Sequence, residues 1–165
     1  MWDITVRRKS FHREDAKDAK GLRRKKMIDI EAIATDVVDC AIKVHKALGP
    51  GLLESAYPHC HVFELKKRGW DAEAEVKLPL IYEGEKIDAG YKIDTLINKL
   101  VIVENKAVET LLPVHEAQLL TYMKLTGCKI GFLLNWNVPL MKKGIKRFVL
   151  NLPEKPIYPK RPSFP

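Results

Sequence analysis

Apolar residues recur along this chain with two periods, and the switches between them mark out its elements. Ile30, Ile33, Val37, Val38, Ala41, Ile42, Val44 and Leu48 follow helical spacing and stop at Gly49-Pro50-Gly51, so a long amphipathic helix is expected from Ile28 to Leu48. A second helical stretch between Leu52 and Arg68 carries Leu53, Ala56, Tyr57, Cys60, Phe63 and Leu65 and ends at Gly69. Pro58 interrupts it unless the helix starts near Ser55, where a proline in the first turn forfeits no hydrogen bond. Glu75 to Tyr82 alternates in part, contains Pro79 and reads as an outer strand turning at Glu83-Gly84; Ile87 to Ile97 and Leu100 to Val108 read as a hairpin. Pro113 opens a helix over Val114 to Leu125, and Gly127 closes it. Within Lys129 to Trp136, the unbroken run Ile130-Gly131-Phe132-Leu133-Leu134 suits a strand buried on both faces, and a short strand follows from Arg147 to Leu150. Two helices, three strands, a helix and two strands predict an α/β fold, a mixed β-sheet flanked by helices.

Outside this span the pattern fails. Residues 1–27 hold too few apolar residues for a core and are expected to form a basic, disordered leader, while 151–165 place prolines at 153, 156, 159, 162 and 165 and are expected to form an extended tail. A single domain is left over 28–150. Charge follows the same division. Residues 1–26 carry ten Lys/Arg against four Asp/Glu and residues 142–165 seven against one, so each end contributes +6 to the net +8 and residues 27–141 are left at −4. Basic ends suit a polyanion, and they suit solvated tails equally well. Cys40, Cys60 and Cys128 are widely spaced with no CxxC pair, which argues against a disulfide framework or a zinc knuckle. Met1 to Lys26 contains no apolar run of the kind a secretory leader needs, and no membrane span is visible, so a cytoplasmic protein is expected.

Polar residues that close apolar strands need a reason. Asp94 ends Tyr91-Lys92-Ile93-Asp94, and Glu104-Asn105-Lys106 ends Leu100-Val101-Ile102-Val103. Two converging carboxylates can hold a divalent cation, and an adjacent ammonium can orient a water or offset developing negative charge, the parts needed to hydrolyse a phosphodiester. Alternation puts Glu104 and Lys106 on one face and Asn105 on the other. A two-residue turn at Asn98 and Lys99 would set Asp94 opposite Val103 and scatter the trio; a three-residue loop, Asn98 to Leu100, pairs Ile97 with Val101 and sets Asp94 across from Glu104. Such alternation also occurs on ordinary solvated strands.

Four collinear motifs give the chain a family likeness. Gly51-Leu52-Leu53-Glu54-Ser55-Ala56-Tyr57 matches G-x-x-E-x-x-Y; the Asp94 and Glu104-Asn105-Lys106 hairpin follows, then His115-Glu116-Ala117-Gln118-Leu119-Leu120-Thr121-Tyr122, then Leu134-Asn135-Trp136-Asn137. From about Ile28 to Leu150 the chain resembles the GxxExxY family, compact relatives of the PD-(D/E)XK nuclease superfamily. That resemblance implies a restriction-endonuclease-like core, Asp94 and Glu104 as metal ligands with Glu54 as an additional one, Lys106 as the catalytic lysine, and Gln118 with Tyr122 beside the nucleic-acid path. The last two lie four residues apart and share a helix face. Asn105 departs from the usual apolar residue between the acid and the lysine, and if its side chain enters the core it needs a hydrogen-bond partner.

The expectation is a nuclease dependent on Mg²⁺ or Mn²⁺, acting on nucleic acid, DNA ahead of RNA, with a homodimer compatible with either function. The alternative is a catalytically silent nucleic-acid-binding or regulatory module on the same scaffold. His59-Cys60-His61 is not expected to bind metal, because neighbours on a helix do not share a face.

Overall fold

The computed structural model describes residues 28–88 and 90–151; the expected leader lies outside them, as does the expected tail apart from Asn151. Helix α1, Ile30–Leu48, starts where the Asp29 carboxylate accepts the Glu31 N–H at 2.9 Å and stops at Gly49, which has φ 68° and donates to the His45 carbonyl. Its buried stripe, Ile33, Val37, Cys40, Ala41 and Val44, follows the spacing of the sequence. Helix α2, Ala56–Lys67, takes the later of the two expected starts. Pro58 therefore falls in the first turn, where no amide is required.

Strands β1 (Ala72–Lys77), β4 (Lys92–Ile97), β5 (Val101–Lys106), β6 (Ile130–Asn135) and β7 (Ile145–Val149) form one sheet in the order β1-β4-β5-β6-β7, while β2 (Leu80–Tyr82) and β3 (Glu85–Ile87) form a separate hairpin. Only β5 and β6 run parallel, and the connection between them contains α3, Pro113–Thr126. The expected mixed sheet with flanking helices is the fold observed. Two of the expected strands are divided: that over Ile87 to Ile97 gives Ile87 to β3 and resumes at Lys92 as β4, in the other sheet. The single strand expected over Glu75 to Tyr82 is broken, because Pro79 has no N–H to continue the ladder after Leu78 donates to the Tyr91 carbonyl. What lies beyond the break turns at Glu83-Gly84 into the β2–β3 hairpin.

Apolar side chains fill both faces of the sheet. Helices α1 and α2 pack with Ile97, Val101, Val103, Phe132, Leu134 and Trp136 on one side; α3 packs through Leu119, Tyr122 and Met123 with Ile102 and Leu133 on the other. Strand β6 is buried throughout, as its unbroken apolar run requires. Gly131 lets α3 sit close, since a Cβ there would fall 2.5 Å from the Met123 sulfur. Among the described residues no helix is long and apolar enough to cross a membrane.

Candidate active site

The β4–β5 hairpin turns through Asn98 and Lys99, both with positive φ, and pairs Ile97 with Val101, Leu96 with Ile102 and Thr95 with Val103. The three-residue loop is the one the sequence required if its two acids were to meet. Asp94 is thereby carried opposite Glu104, and there the ladder gives way to a side-chain bond: the Asp94 carboxylate accepts the Asn105 N–H at 2.8 Å. Its neighbour across β1, Glu75, has φ 55° and is left out of an otherwise continuous pairing between Ala74↔Thr95 and Val76↔Ile93. A local kink thus marks the strand beside Asp94.

Glu104 and Lys106 share the face of Ile102, the one covered by α3. The Glu104 side chain is 1% exposed and receives a 2.6 Å hydrogen bond from Lys106 Nζ on Oε1, while Oε2 is buried with no protein partner. Burial, reinforced by the negative charge of Asp94, pushes the Glu104 carboxyl up to about 7, against the pull of Lys106. Burial raises Asp94 too, opposed by the Asn105 N–H and Lys106. For Lys106, burial works to lower the pKa, and the bond and charge of Glu104 outweigh it, so the ammonium is held above its ordinary value. Two carboxylates and one ammonium are therefore coupled in a site largely withdrawn from water.

Glu54 reaches the same place from the loop before α2. Its Oε2 accepts the Ala107 N–H at 2.8 Å, and its charge raises the pKa of both Asp94 and Glu104. Tyr57 explains how that loop is held. Its hydroxyl donates to the Gly49 carbonyl at 2.9 Å and accepts the Leu52 N–H at 3.1 Å, and its ring stacks on Trp136 with centroids 4.6 Å apart. Gly51, at φ 104°, supplies a backbone conformation that side chains disfavour. Glycine, glutamate and tyrosine at this spacing thus form one device, a loop tied down so that its acid meets the end of β5.

Asn105 does enter the core, and its partner is Trp136, whose Nε1–H donates to Oδ1 at 2.8 Å. The backbone N–H of Trp136 also binds the Lys106 carbonyl at 2.7 Å, and the Asn135 side chain brackets Val108 by accepting its N–H and donating to its carbonyl. The sequence alone assigns no role to Trp136 or Asn135. The available signal was an indole and an amide ending an apolar run, beside an unexplained core asparagine. His61 is buried beside Trp136, with Nε2 on the Val37 carbonyl, and burial lowers its pKa to about 4. Its ring is neutral and packs in the core against Trp136.

Gln118 and Tyr122 lie together on α3, Gln118 Nε2 donating to the Tyr122 hydroxyl at 3.0 Å. They line a groove of about 390 Å³ with Tyr91, which meets Tyr122 edge-on, and are bonded to each other and not to the carboxylates. The structure therefore brings Glu54, Asp94, Glu104 and Lys106 together and sets Gln118 and Tyr122 in a neighbouring groove. His115 Nδ1 accepts the Leu112 N–H at the start of α3, a capping role.

Whether the acids suit a divalent cation can be judged from their atoms. Glu104 Oε2 is a buried acceptor without a donor, and carboxylate oxygens are the ligands that Mg²⁺ and Mn²⁺ prefer. Among the described residues no three His, Cys, Asp or Glu side chains are gathered as a ready cage, since Glu54 is turned to Ala107. The fit rests on the Asp94–Glu104 pair, with Glu54 beside it.

A family model described as the PD-(D/E)XK nuclease superfamily matches residues 31–148. Neither the comparison with curated proteins nor that with solved structures returns a match. Nucleases of this superfamily generally use divalent metals and act on nucleic acid. With the matched span covering both helices, the five-stranded sheet and the acid–acid–lysine cluster, the chain belongs to the PD-(D/E)XK nuclease superfamily.

Proposed function

We propose that the domain over 28–150 is a nuclease of the GxxExxY type, hydrolysing phosphodiester bonds of nucleic acid with Mg²⁺ or Mn²⁺. One observation carries the reading: a buried glutamate with one oxygen on a lysine, the other free, and a neighbouring aspartate opposite it on the hairpin. Burial of such a pair costs stability, and a site that serves only the fold has no need of it.

Asp94 and Glu104 would hold the cation, with Glu54 as a further ligand once it leaves the Ala107 N–H. A divalent ion so held polarises the phosphoryl group and lowers the pKa of a bound water. Lys106 keeps its proton and offsets the negative charge that develops on the phosphorane, or orients the attacking water. The Asn105 N–H fixes the Asp94 carboxylate, and Trp136 fixes Asn105, so the ligands are held before substrate arrives. Gln118 and Tyr122 line the substrate path. DNA ahead of RNA is the expected substrate and the cytoplasm the expected place of action.

A second reading, a silent binding module, is favoured by the closed Lys106–Glu104 pair and by Glu54 facing a backbone amide. Cleavage separates the two. Labelled single- and double-stranded DNA and RNA are incubated with the protein in Mn²⁺ and in EDTA; at least one substrate is cut only with metal, and Lys106→Ala lowers the rate by about 100-fold or more. Undiminished cutting by Lys106→Ala removes the mechanism, and no metal-dependent cutting of any substrate favours the silent module.

A further inference from the structure

A second groove, of about 460 Å³, lies between the C-terminal end of α1 and the segment after β6, with His45, Lys46, Pro50, Pro139, Leu140 and Lys142 in its walls. No carboxylate lines it. The surrounding sequence is acid-free: residues 40–53 contain no Asp or Glu, and neither do residues 117–151, which hold Lys124, Lys129, Lys142, Lys143, Lys146 and Arg147. Two of these cations are answered from elsewhere, Lys146 by Glu116 and Arg147 by Glu31. Lys46, Lys142 and Lys143 are exposed and have no carboxylate partner among the described residues. Residues 28–151 carry as many acidic as basic residues, so this is a concentrated positive wall on a domain of no net charge.

Both walls are tied to the catalytic cluster. On one side, Gly49 accepts from the Tyr57 hydroxyl, which also holds Leu52 and so the loop bearing Glu54. On the other, Trp136 binds the Lys106 carbonyl, His45 Nε2 donates to the Val138 carbonyl, and the chain then runs through Pro139 to Lys142. Strands β5 and β6 are parallel, so Lys106 and Trp136 leave the sheet at the same end. The groove, on the α1 side, and the cluster of Glu54, Asp94 and Glu104 therefore lie at the same end of the sheet.

Resting on the nuclease reading, we infer that this groove is a phosphate-backbone track, in which Lys46 and Lys142 bind the phosphates that flank the scissile one. The substrate is then an extended strand. Small diesters without flanking phosphates use the catalytic cluster alone.

The test is fluorescence anisotropy of a labelled oligonucleotide with the full chain in EDTA, where no cleavage is required. Lys46→Glu with Lys142→Glu weakens binding by about 10-fold or more and flattens the slope of log K against log salt by about 1.4 to 1.8 units, the value for two lost phosphate contacts. Lys46→Gln with Lys142→Gln gives a smaller change of the same sign. The control, Lys99→Glu with Lys129→Glu, makes the same charge change at exposed sites on the opposite end of the sheet and leaves binding within about twofold. Equal loss in the control assigns binding to net charge and overturns the inference, as does no loss in the groove variant or no binding by the wild type. In Mn²⁺ the groove variant hydrolyses bis(p-nitrophenyl) phosphate as the wild type does, so failure of the track and failure of the nuclease reading are read separately.

Discussion

At the scale of the residue, Glu104 is where stability and the proposed chemistry pull against each other. Its folded pKa of about 7 lies above that of an ordinary glutamate, so between roughly pH 4.5 and 7 the folded state holds a proton that the unfolded state has lost. Stability contributed by the neutral acid is therefore complete below about pH 4.5 and declines as pH rises through 7. The shift corresponds to about 3 kcal/mol of pH-dependent stability. In metal-free buffer, the melting temperature of the wild type falls from pH 5 to pH 8, and that of Glu104→Gln falls less, because the amide has no proton to lose. Parallel melting profiles for the two would show that Glu104 titrates normally. The sequence named this residue by its type and spacing. Its protonation was not legible there, because it depends on burial and on Asp94 and Glu54, which the fold brings from other elements.

At the scale of the element, the hairpin register and the Trp136 anchor together set the site. Register was readable in the sequence because alternation and loop length leave only a few pairings, and only the longer loop lets Asp94 face Glu104. The break at Pro79 was half readable: the proline was visible, but its effect depended on whether a partner strand continued past it. The Trp136–Asn105 bond was not readable, since the two residues lie thirty-one apart in sequence and meet only when β6 is laid beside β5. Its consequence can be measured. Trp136→Phe leaves Asn105 Oδ1 buried without a donor and costs about 1–3 kcal/mol by denaturant unfolding, in addition to any packing loss. Adding Asn105→Leu removes the stranded amide, so the double variant recovers part of that loss. Strictly additive costs would show that the hydrogen bond contributes nothing.

At the scale of the whole molecule, the acidic cluster, the basic groove and the Gln118–Tyr122 groove border one scaffold, whose two helical layers bury the sheet and whose proposed chemistry lies at the ends of β5 and β6. The family model matches most of that scaffold, and the likeness carried by four short motifs was visible because those motifs are the loop, strand and helix positions that border the site. The proposed chemistry requires that Asp94 and Glu104 form a divalent-cation site. Calorimetric titration of Mn²⁺ into the full chain at pH 8, where Glu104 is ionised, tests this most directly. A saturable site is expected in the wild type, abolished by Asp94→Asn and left intact by Glu116→Gln, at an exposed ion pair on α3. Equal Mn²⁺ binding by the wild type and Asp94→Asn, or none by the wild type, would contradict it.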